Sequence, residues 1–575
     1  MARVKFSVFK FLTEHFKGFR SSLVVTCAIY VLMILPKVAA PVLSQIFLDN
    51  IISGVNPGWA TPFFIACTVI VLYEIILRFM EAGIWKMQLR MTITSTTGLL
   101  WHTLHLPLDW FHDKYAGEIA AKMAYPSDIS MKMTSNMIPL VSEIILTVVY
   151  IAFMFMYSLP LTCFALAYII LSIVILRAVN KKRVQSNKIM QQGQDELIGF
   201  TSSSISNIEA IKGAGAEMGF FQRWASHFTT AQNATIKCFV KNIYLSSVPQ
   251  LLEAVANILV MGFGVLFIIQ GKMTIGMLIA FEAFMAQCMI VMRQVSNKLL
   301  EWANVKAKCE ICDKIYEEPN EVSEALEDNT PFTDGKLKGF VELKDVTFGY
   351  DRNAEPLISD FNLKLEPGKS VAFVGQSGCG KSTLAKLISG LYYPWSGEIL
   401  FDGKKQEEIN KKVFNNSVSV VDQNIVLFDG TVADNIKLWD KSIEDFAMIF
   451  ACHDAQIHEE IASRSNAYDS NVENGGKNFS GGQRQRLEIA SALAKEPVIM
   501  VMDEGTSALD AVTEEKVMRA IKDMGISLIM IAHRLSTIRD CDEIIVLDHG
   551  KVAERGNHNE LLANNGLYSR LVGSN

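Results

Sequence analysis

The sequence predicts two domains of different class: an all-α, six-helix transmembrane domain over residues 1–316 and an α/β domain over 337–575, joined by an acidic linker at 317–336. Three observations carry this reading. Six apolar stretches stand in series in the front half, each approaching or exceeding the roughly 20 residues needed to cross a bilayer. Beyond about residue 335 short β-like runs alternate with helical patterns, the mark of an α/β domain. Charge divides at the same place: residues 1–316 carry 27 basic and 18 acidic side chains, net +9, while 317–575 carry 27 and 42, net −15. The whole-chain figures of 575 residues, net charge −6, 50% hydrophobic and 20% charged conceal that split. They exclude a disordered chain, a collagen-like fibre and a small disulfide scaffold. With no long Lys/Arg run, nucleic acid is not expected as a partner.

The spans are Ser21–Phe47, Pro62–Lys86, Asn136–Ser158, Pro160–Arg177, Val248–Gln270 and Ile275–Arg293. Basic residues set their orientation. Arg3, Lys5, Lys10, Lys17 and Arg20 precede the first span, and Lys181, Lys182 and Arg183 follow the fourth. The loops at 48–61 and 158–160 have no basic residue. A multi-pass protein of the cytoplasmic (inner) membrane with both termini cytosolic is therefore expected. The two inner segments, about 50 and about 70 residues long, are poor in Pro and Gly, so the membrane helices are expected to continue beyond the bilayer. No cysteine stands in an outer loop, which gives no indication of structural disulfides. Cys309 and Cys312 read as a reduced pair on one helix face.

Ionisable residues inside spans are expensive and face a cavity or one another. Glu74 and Arg78, spaced i,i+4, read as a pair on one helix. Glu143, Glu253 and Glu282 have no evident partner in the sequence and are expected to line an acidic cavity for cationic cargo.

In the back half, Gly375-Gln376-Ser377-Gly378-Cys379-Gly380-Lys381-Ser382 fits G-x-x-x-x-G-K-[ST] between the apolar strand Ser370–Val374 and a helix from Ser382. Backbone N–H groups of such a loop wrap phosphates, and the helix N-terminus favours the anion. Lys381 is positioned to neutralise the β- and γ-phosphates of ATP, and the Ser382 hydroxyl to ligate Mg²⁺. An apolar strand, Val498–Met502, ends in Asp503 and Glu504. Asp503 is expected to hold the metal and Glu504 to polarise the attacking water. Phe479-Ser480-Gly481-Gly482-Gln483 opens another helix, with Ser480 as its cap.

With that last motif about 20 residues before the Asp-Glu strand end, the chain resembles the ATP-binding cassette transporters over essentially its whole length. Six spans followed by one cassette resembles a half-transporter of the type I exporter layout. The resemblance implies further roles. Tyr350 stacks on adenine, and Thr383 extends the phosphate loop. Gln423 senses Mg²⁺ and couples to the membrane domain. Ser480, Gly481, Gly482 and Gln483 contact the γ-phosphate held by a second subunit. Asp510, in Ser507-Ala-Leu-Asp510, belongs to the loop linking two sites, and His533 holds the γ-phosphate. Segments 106–119 and 207–217 resemble coupling regions. Phe479, Gly505 and Ser491 stand where such proteins usually carry Leu, Ala and Arg, and none of these changes removes a catalytic group. An intact set implies a homodimer with two working sites in membrane lipid.

Residues 417–436 and 468–479 resemble bacterial exporters of ribosomally made peptides of the bacteriocin or lantibiotic type. Many of these carry an N-terminal cysteine protease domain. Here about 20 residues precede the first span, so a separate leader peptidase is expected, or a different cargo. An amphiphilic drug or lipid carried by the same engine is the alternative, and an ATP-gated channel or regulator stands third.

Overall fold

The computed structural model describes residues 8–16, 19–52, 57–111, 114, 116–320, 335–352, 354–473, 475–531 and 534–573. Most of the acidic linker and His533 lie outside the described residues. The chain divides into two compact units, Met1–Thr103 with Ala116–Glu317, and Leu104–Tyr115 with Glu318–Asn575.

Among the described residues, six helical stretches are long and apolar enough to cross a membrane: Phe19–Ile52, Ala60–Leu104, Gly117–Tyr157, Leu159–Ile205, Glu217–Ile269 and Ile275–Val295. Each contains or closely matches one expected span. The principal helices are α1 (Phe19–Leu32), α2 (Ile34–Ile46), α3 (Ala60–Leu104), α4 (Ile138–Tyr157), α5 (Leu159–Ser206), α6 (Glu217–Ile269) and α7 (Ile275–Tyr316). At 1.5 Å per residue, the 53 residues of α6 extend roughly 80 Å, against a hydrocarbon layer of about 30 Å. The expectation that membrane helices run on into the two inner segments therefore holds for α3, α5 and α6, and α7 also exceeds a bilayer's thickness. Between α5 and α6 the segment resembling a second coupling region forms the short exposed helix Ile208–Gly213.

The first span is not one continuous helix. It breaks at Met33 and closes in a π-turn over Phe47–Ile52. Two prolines weaken the helix near the break, because a helical proline denies a hydrogen bond to the carbonyl four residues earlier. Pro36 frees the Leu32 carbonyl and Pro41 frees that of Lys37. Both carbonyls find tyrosines on other helices. The Tyr73 hydroxyl donates to Leu32 O at 3.2 Å, and that of fully buried Tyr150 to Lys37 O at 3.4 Å. Within a bilayer no water is available to do this, so substitute partners must come from the protein. At the end of the span, Asp49 accepts from Thr274 Oγ1 at 2.6 Å and from the Gly276 N–H at 2.9 Å, tying the π-turn to the start of α7. A carboxylate there also suits the positive end of the helix dipole.

Glu74 pairs with Arg78 at 3.4 Å, as the spacing suggested. The reading of Glu143 and Glu253 as unpartnered is corrected. Lys298 donates to Glu143 at 2.9 Å and Arg293 pairs with Glu253, both cations coming from α7. Those partners are remote in sequence and meet the carboxylates only because the helices pack. Glu282, half-buried on α7, has no ion-pair partner among the described residues.

The second unit contains β1 (Val341–Phe348), β2 (Ile358–Leu365), β3 (Ser370–Gly375), β4 (Ser396–Phe401), β5 (Lys404–Lys405), β6 (Val418–Val421), β7 (Gly430–Thr431), β8 (Asn471–Val472), β9 (Ile499–Asp503), β10 (Ser527–Ile531), β11 (Glu543–Asp548) and β12 (Lys551–Gly556). One sheet, ordered β2-β1-β4-β5, is antiparallel. The main sheet runs β12-β11-β3-β10-β9-β6 and is parallel except at β12. Every residue of β9 and β10 is buried, as expected for strands covered on both faces. Leu108, in the segment resembling a first coupling region, packs against one of the two apolar cores of this unit.

Tyr150→Phe should destabilise the protein by about 1 kcal/mol, because it removes the hydroxyl donor that meets the proline-freed Lys37 carbonyl. In a Pro41→Ala background, where the Lys37 carbonyl regains a helical N–H, the same change should cost almost nothing. Thermal unfolding of the four proteins in detergent checks this; equal Tm losses in both backgrounds would refute it.

Candidate functional site

Strands β11, β3, β10, β9 and β6 run parallel, and their carboxyl ends share one edge of the sheet, where open α/β sheets bind ligands. Four sequence motifs of the site follow these strands. The glycine loop follows β3, Asp503 and Glu504 end β9, and Gln423 comes two residues after β6. Ile531 of β10 lies in register with Phe373 and with Asp503, which places the strand preceding His533 between the other two motifs.

The glycine loop turns into α8 (Lys381–Ile388). Gly378 and Gly380 have φ of +82° and +104°, a region that penalises any Cβ, and Gly380 is also packed against Ile358. Gln376, Ser377 and Gly378 form the exposed tip of the loop, while Cys379, Gly380 and Lys381 are buried. Lys381 Nζ donates to Gly375 O and Gln376 O, both at 2.8 Å, so the ammonium is held inside the loop it would serve. Tyr350 contacts the same helix: its hydroxyl lies 3.1 Å from Thr383 Oγ1, and nearly half of the residue remains exposed.

Asp503 is buried, and burial pushes its carboxyl pKa up. The Ser382 hydroxyl bonded to it opposes that rise, while the nearby carboxylates of Asp422 and Glu504 reinforce it. A hydroxyl and a carboxylate are both hard oxygen donors, and the pair fits Mg²⁺. Glu504 has φ of +52°, unusual for a non-glycine residue, and its N–H donates to Ile531 O at 2.9 Å. Packing accounts for glycine rather than alanine at the next position. A Cβ at Gly505 would lie 2.9 Å from Met502 Cε and 2.9 Å from Val421 Cγ1, so alanine would require these side chains to shift.

Ser480 caps α9 (Gly481–Leu493), as its position suggested, and the cap is reciprocal. The Gln483 N–H donates to Ser480 Oγ at 3.3 Å, and the Ser480 N–H to Gln483 Oε1 at 2.9 Å. Gly481 and Gly482 form the first turn of that helix. Asp510 caps α10 (Ala511–Asp523), accepting from the N–H groups of Val512 and Thr513 at 3.1 Å each. Hydrogen bonds from the Thr513 side chain and from that backbone hold its carboxyl below the ordinary aspartate range. Gln423 is exposed.

The profile for the family described as ABC transporter matches residues 358–507, and that for the ABC transporter transmembrane region matches 23–292. This chain is an ABC transporter. Among curated proteins, this ABC exporter half-transporter is similar to a leukotoxin translocation ATP-binding protein LktB of Mannheimia haemolytica, 28% identical over 541 residues. That alignment covers 92% of this chain and 75% of the relative. A protein of the same description from Bibersteinia trehalosi is 27% identical over 540 residues, again covering 92% of this chain and 75% of the relative. Among solved structures, a bacterial Atm1-family ABC exporter with ATP bound matches with a TM-score of 0.79 and 26% identity, covering 97% of this chain and 99% of that one. The exporter is therefore an ATPase coupled to transport, and a multi-pass membrane protein.

Sequence reading passed over several residues that organise the exporter's site. Gln485 of α9 is buried; its Nε2 donates to Glu504 O at 3.0 Å, and its Oε1 accepts from the Ala508 N–H at 2.8 Å. Glu488, one turn on, accepts from the Asp422 N–H at 3.2 Å, just before Gln423. The only sequence signal was their place in the signature helix, at i+2 and i+5 from Gln483. Burial pushes the Glu488 carboxyl up to about 7; the Asp422 N–H opposes this and the Asp422 charge adds to it.

Glu488 therefore keeps a proton that the unfolded chain loses near its ordinary pKa of about 4.3. The stability this contributes is complete below that value and is lost as pH rises through about 7. Glu488→Gln retains an acceptor for Asp422 and should flatten the fall in Tm between about pH 5 and about pH 8. An unchanged Tm-against-pH slope in the variant would sink this assignment.

Proposed function

We propose that two copies of this chain form an ATP-driven exporter that moves a ribosomally made peptide out across the cytoplasmic membrane by alternating access. The observation that carries the reading is the convergence of the phosphate loop, Asp503, Glu504 and Gln423 on one sheet edge, beside a capped signature helix. The proposed domains are a membrane domain over residues 1–316 and a nucleotide-binding domain over 337–575, with both termini in the cytosol.

In this reading each ATP lies between the loop of one copy and Ser480-Gly481-Gly482-Gln483 of the other. Loop N–H groups and Lys381 hold the phosphates, Tyr350 stacks on adenine, and Ser382, Asp503 and Gln423 hold Mg²⁺. That ion would supply charge to the β- and γ-phosphate oxygens. Glu504 takes up the proton of the attacking water and His533 holds the γ-phosphate. Closure of the two cassettes would reach the membrane helices through 106–119 and 207–217.

The peptide assignment is supported by the resemblance in 417–436 and 468–479 and by the relatives described as leukotoxin translocation proteins. Glu282 is the remaining acid proposed to meet a cationic cargo; Glu143 and Glu253 are engaged with α7 cations. Drug or lipid cargo is the second reading, since the Atm1-family exporter has the same fold over 97% of this chain.

Reconstituted protein should show ATPase activity stimulated several-fold by a leader-bearing cationic peptide, with little response to amphiphilic drugs or added lipid. Stimulation by drug or lipid but not by peptide would overturn the peptide assignment. Glu282→Gln should weaken the peptide response with basal turnover retained. Glu143→Gln should instead lower Tm, because it leaves the partly buried Lys298 charge unpaired.

A further inference from the structure

Glu514, in the first turn of α10, is almost fully buried. A buried carboxylate persists only where it is well paired, and the partners here all come from segments around the nucleotide site. Its Oε1 accepts from Thr506 Oγ1 at 2.7 Å and from Thr537 Oγ1 at 2.8 Å. Its Oε2 pairs with Arg534 Nη1 at 3.4 Å. Arg534 carries the connection onward, donating Nη1 to Leu509 O at 2.8 Å and Nη2 to Ser507 O at 2.9 Å.

The placement of these residues gives the cluster its meaning. Thr506 lies two residues after Glu504, Ser507 and Leu509 belong to the loop ending at Asp510, and Arg534 directly follows His533. That loop has turn bonds, Ser507 N–H to Glu504 O at 3.0 Å and Leu509 N–H to Thr506 O at 3.1 Å, but no strand ladder. Two side chains grip it instead: Gln485 from the signature helix and Arg534 from the segment after β10. The Arg534 fork serves both loop carbonyls and the Glu514 charge, a geometry that lysine could not reproduce.

We propose that Glu514 is a positioning residue which, through Arg534, locks the Ser507–Asp510 loop to the segment carrying His533, so that both adjust together during turnover. The proposal rests on the nucleotide-site assignment made under the proposed function, and it adds a connection that the motif roles do not contain. The Glu514 oxygens meet Thr506, Thr537 and Arg534, so in this proposal it acts through the placing of other groups.

The test uses the full-length protein in lipid vesicles. Glu514→Gln keeps an oxygen acceptor for the threonines but removes the charge facing Arg534. It should lower kcat for ATP by about 10-fold with KM within about 2-fold and Tm nearly unchanged. Arg534→Gln should lower kcat alike, with a loss of Tm because it strands the buried Glu514 charge, and in kcat the double variant should be no worse than the poorer single one, because both break one linkage. Unchanged kcat in Glu514→Gln, or losses that multiply in the double variant, would overturn the proposal. So would a Tm loss in Glu514→Gln that accounts for the whole decline in its activity. If Glu514→Gln does not fold, Thr537→Val removes a single donor and should still lower kcat at unchanged KM; normal kcat there overturns it equally. Glu504→Gln assayed in parallel separates the two readings. Turnover retained in that variant refutes the site assignment itself, whereas turnover lost there but normal in Glu514→Gln refutes only the positioning role.

Discussion

Parallel pairing of β10 with β3 on one side and with β9 on the other is the constraint on which the nucleotide unit is built. Hydrogen bonding aligns Ile531 with Phe373 and Asp503, so the phosphate loop leaves β3 two residues beyond the level at which the acidic strand end leaves β9. Buried strands have no other way to satisfy their N–H and C=O groups, and a one-residue slip would misalign both motifs. The same register sets the Glu504 N–H against Ile531 O and brings Val421 of β6 beside Met502. Gly505 belongs to this arrangement, since the space a methyl would need is taken by Val421 and Met502.

In the membrane unit the corresponding rule is that every backbone polar group must find a partner without water. Long helices obey it internally. The first span departs from it at two prolines, and the tyrosine hydroxyls of other helices complete the accounting at Leu32 and Lys37. Charge follows the same economy. Glu143 and Glu253 meet cations of α7, which makes α7 a helix held by ion pairs as well as by the apolar packing around Phe284.

The nucleotide unit has a recurring style of construction in which loops are gripped by side chains from neighbouring helices. Gln485 and Glu488 extend the signature helix toward the Glu504 and Gln423 segments. Glu514 and Arg534 do the same from α10 and the segment after β10. Motion of α9 or α10 would therefore reach the Glu504 and Ser507–Asp510 segments through short, directed hydrogen bonds.

Much of this was legible in the sequence by itself. Apolar length and period set the six spans and the helices that outrun them, because the bilayer thickness and the helix rise leave little choice. Glycine loop, paired acids and signature motif were readable because phosphate binding demands particular residues at fixed spacing. Tertiary structure decided what spacing cannot encode. Lys298 and Arg293 lie more than a hundred and about forty residues from the glutamates they neutralise, and Tyr150 lies on a different helix from the carbonyl Pro41 frees. Gln485, Glu488 and Glu514 looked like ordinary polar positions on helices. Only folding buries them and turns them toward loops, and a buried polar group must then bond to whatever the fold has placed beside it.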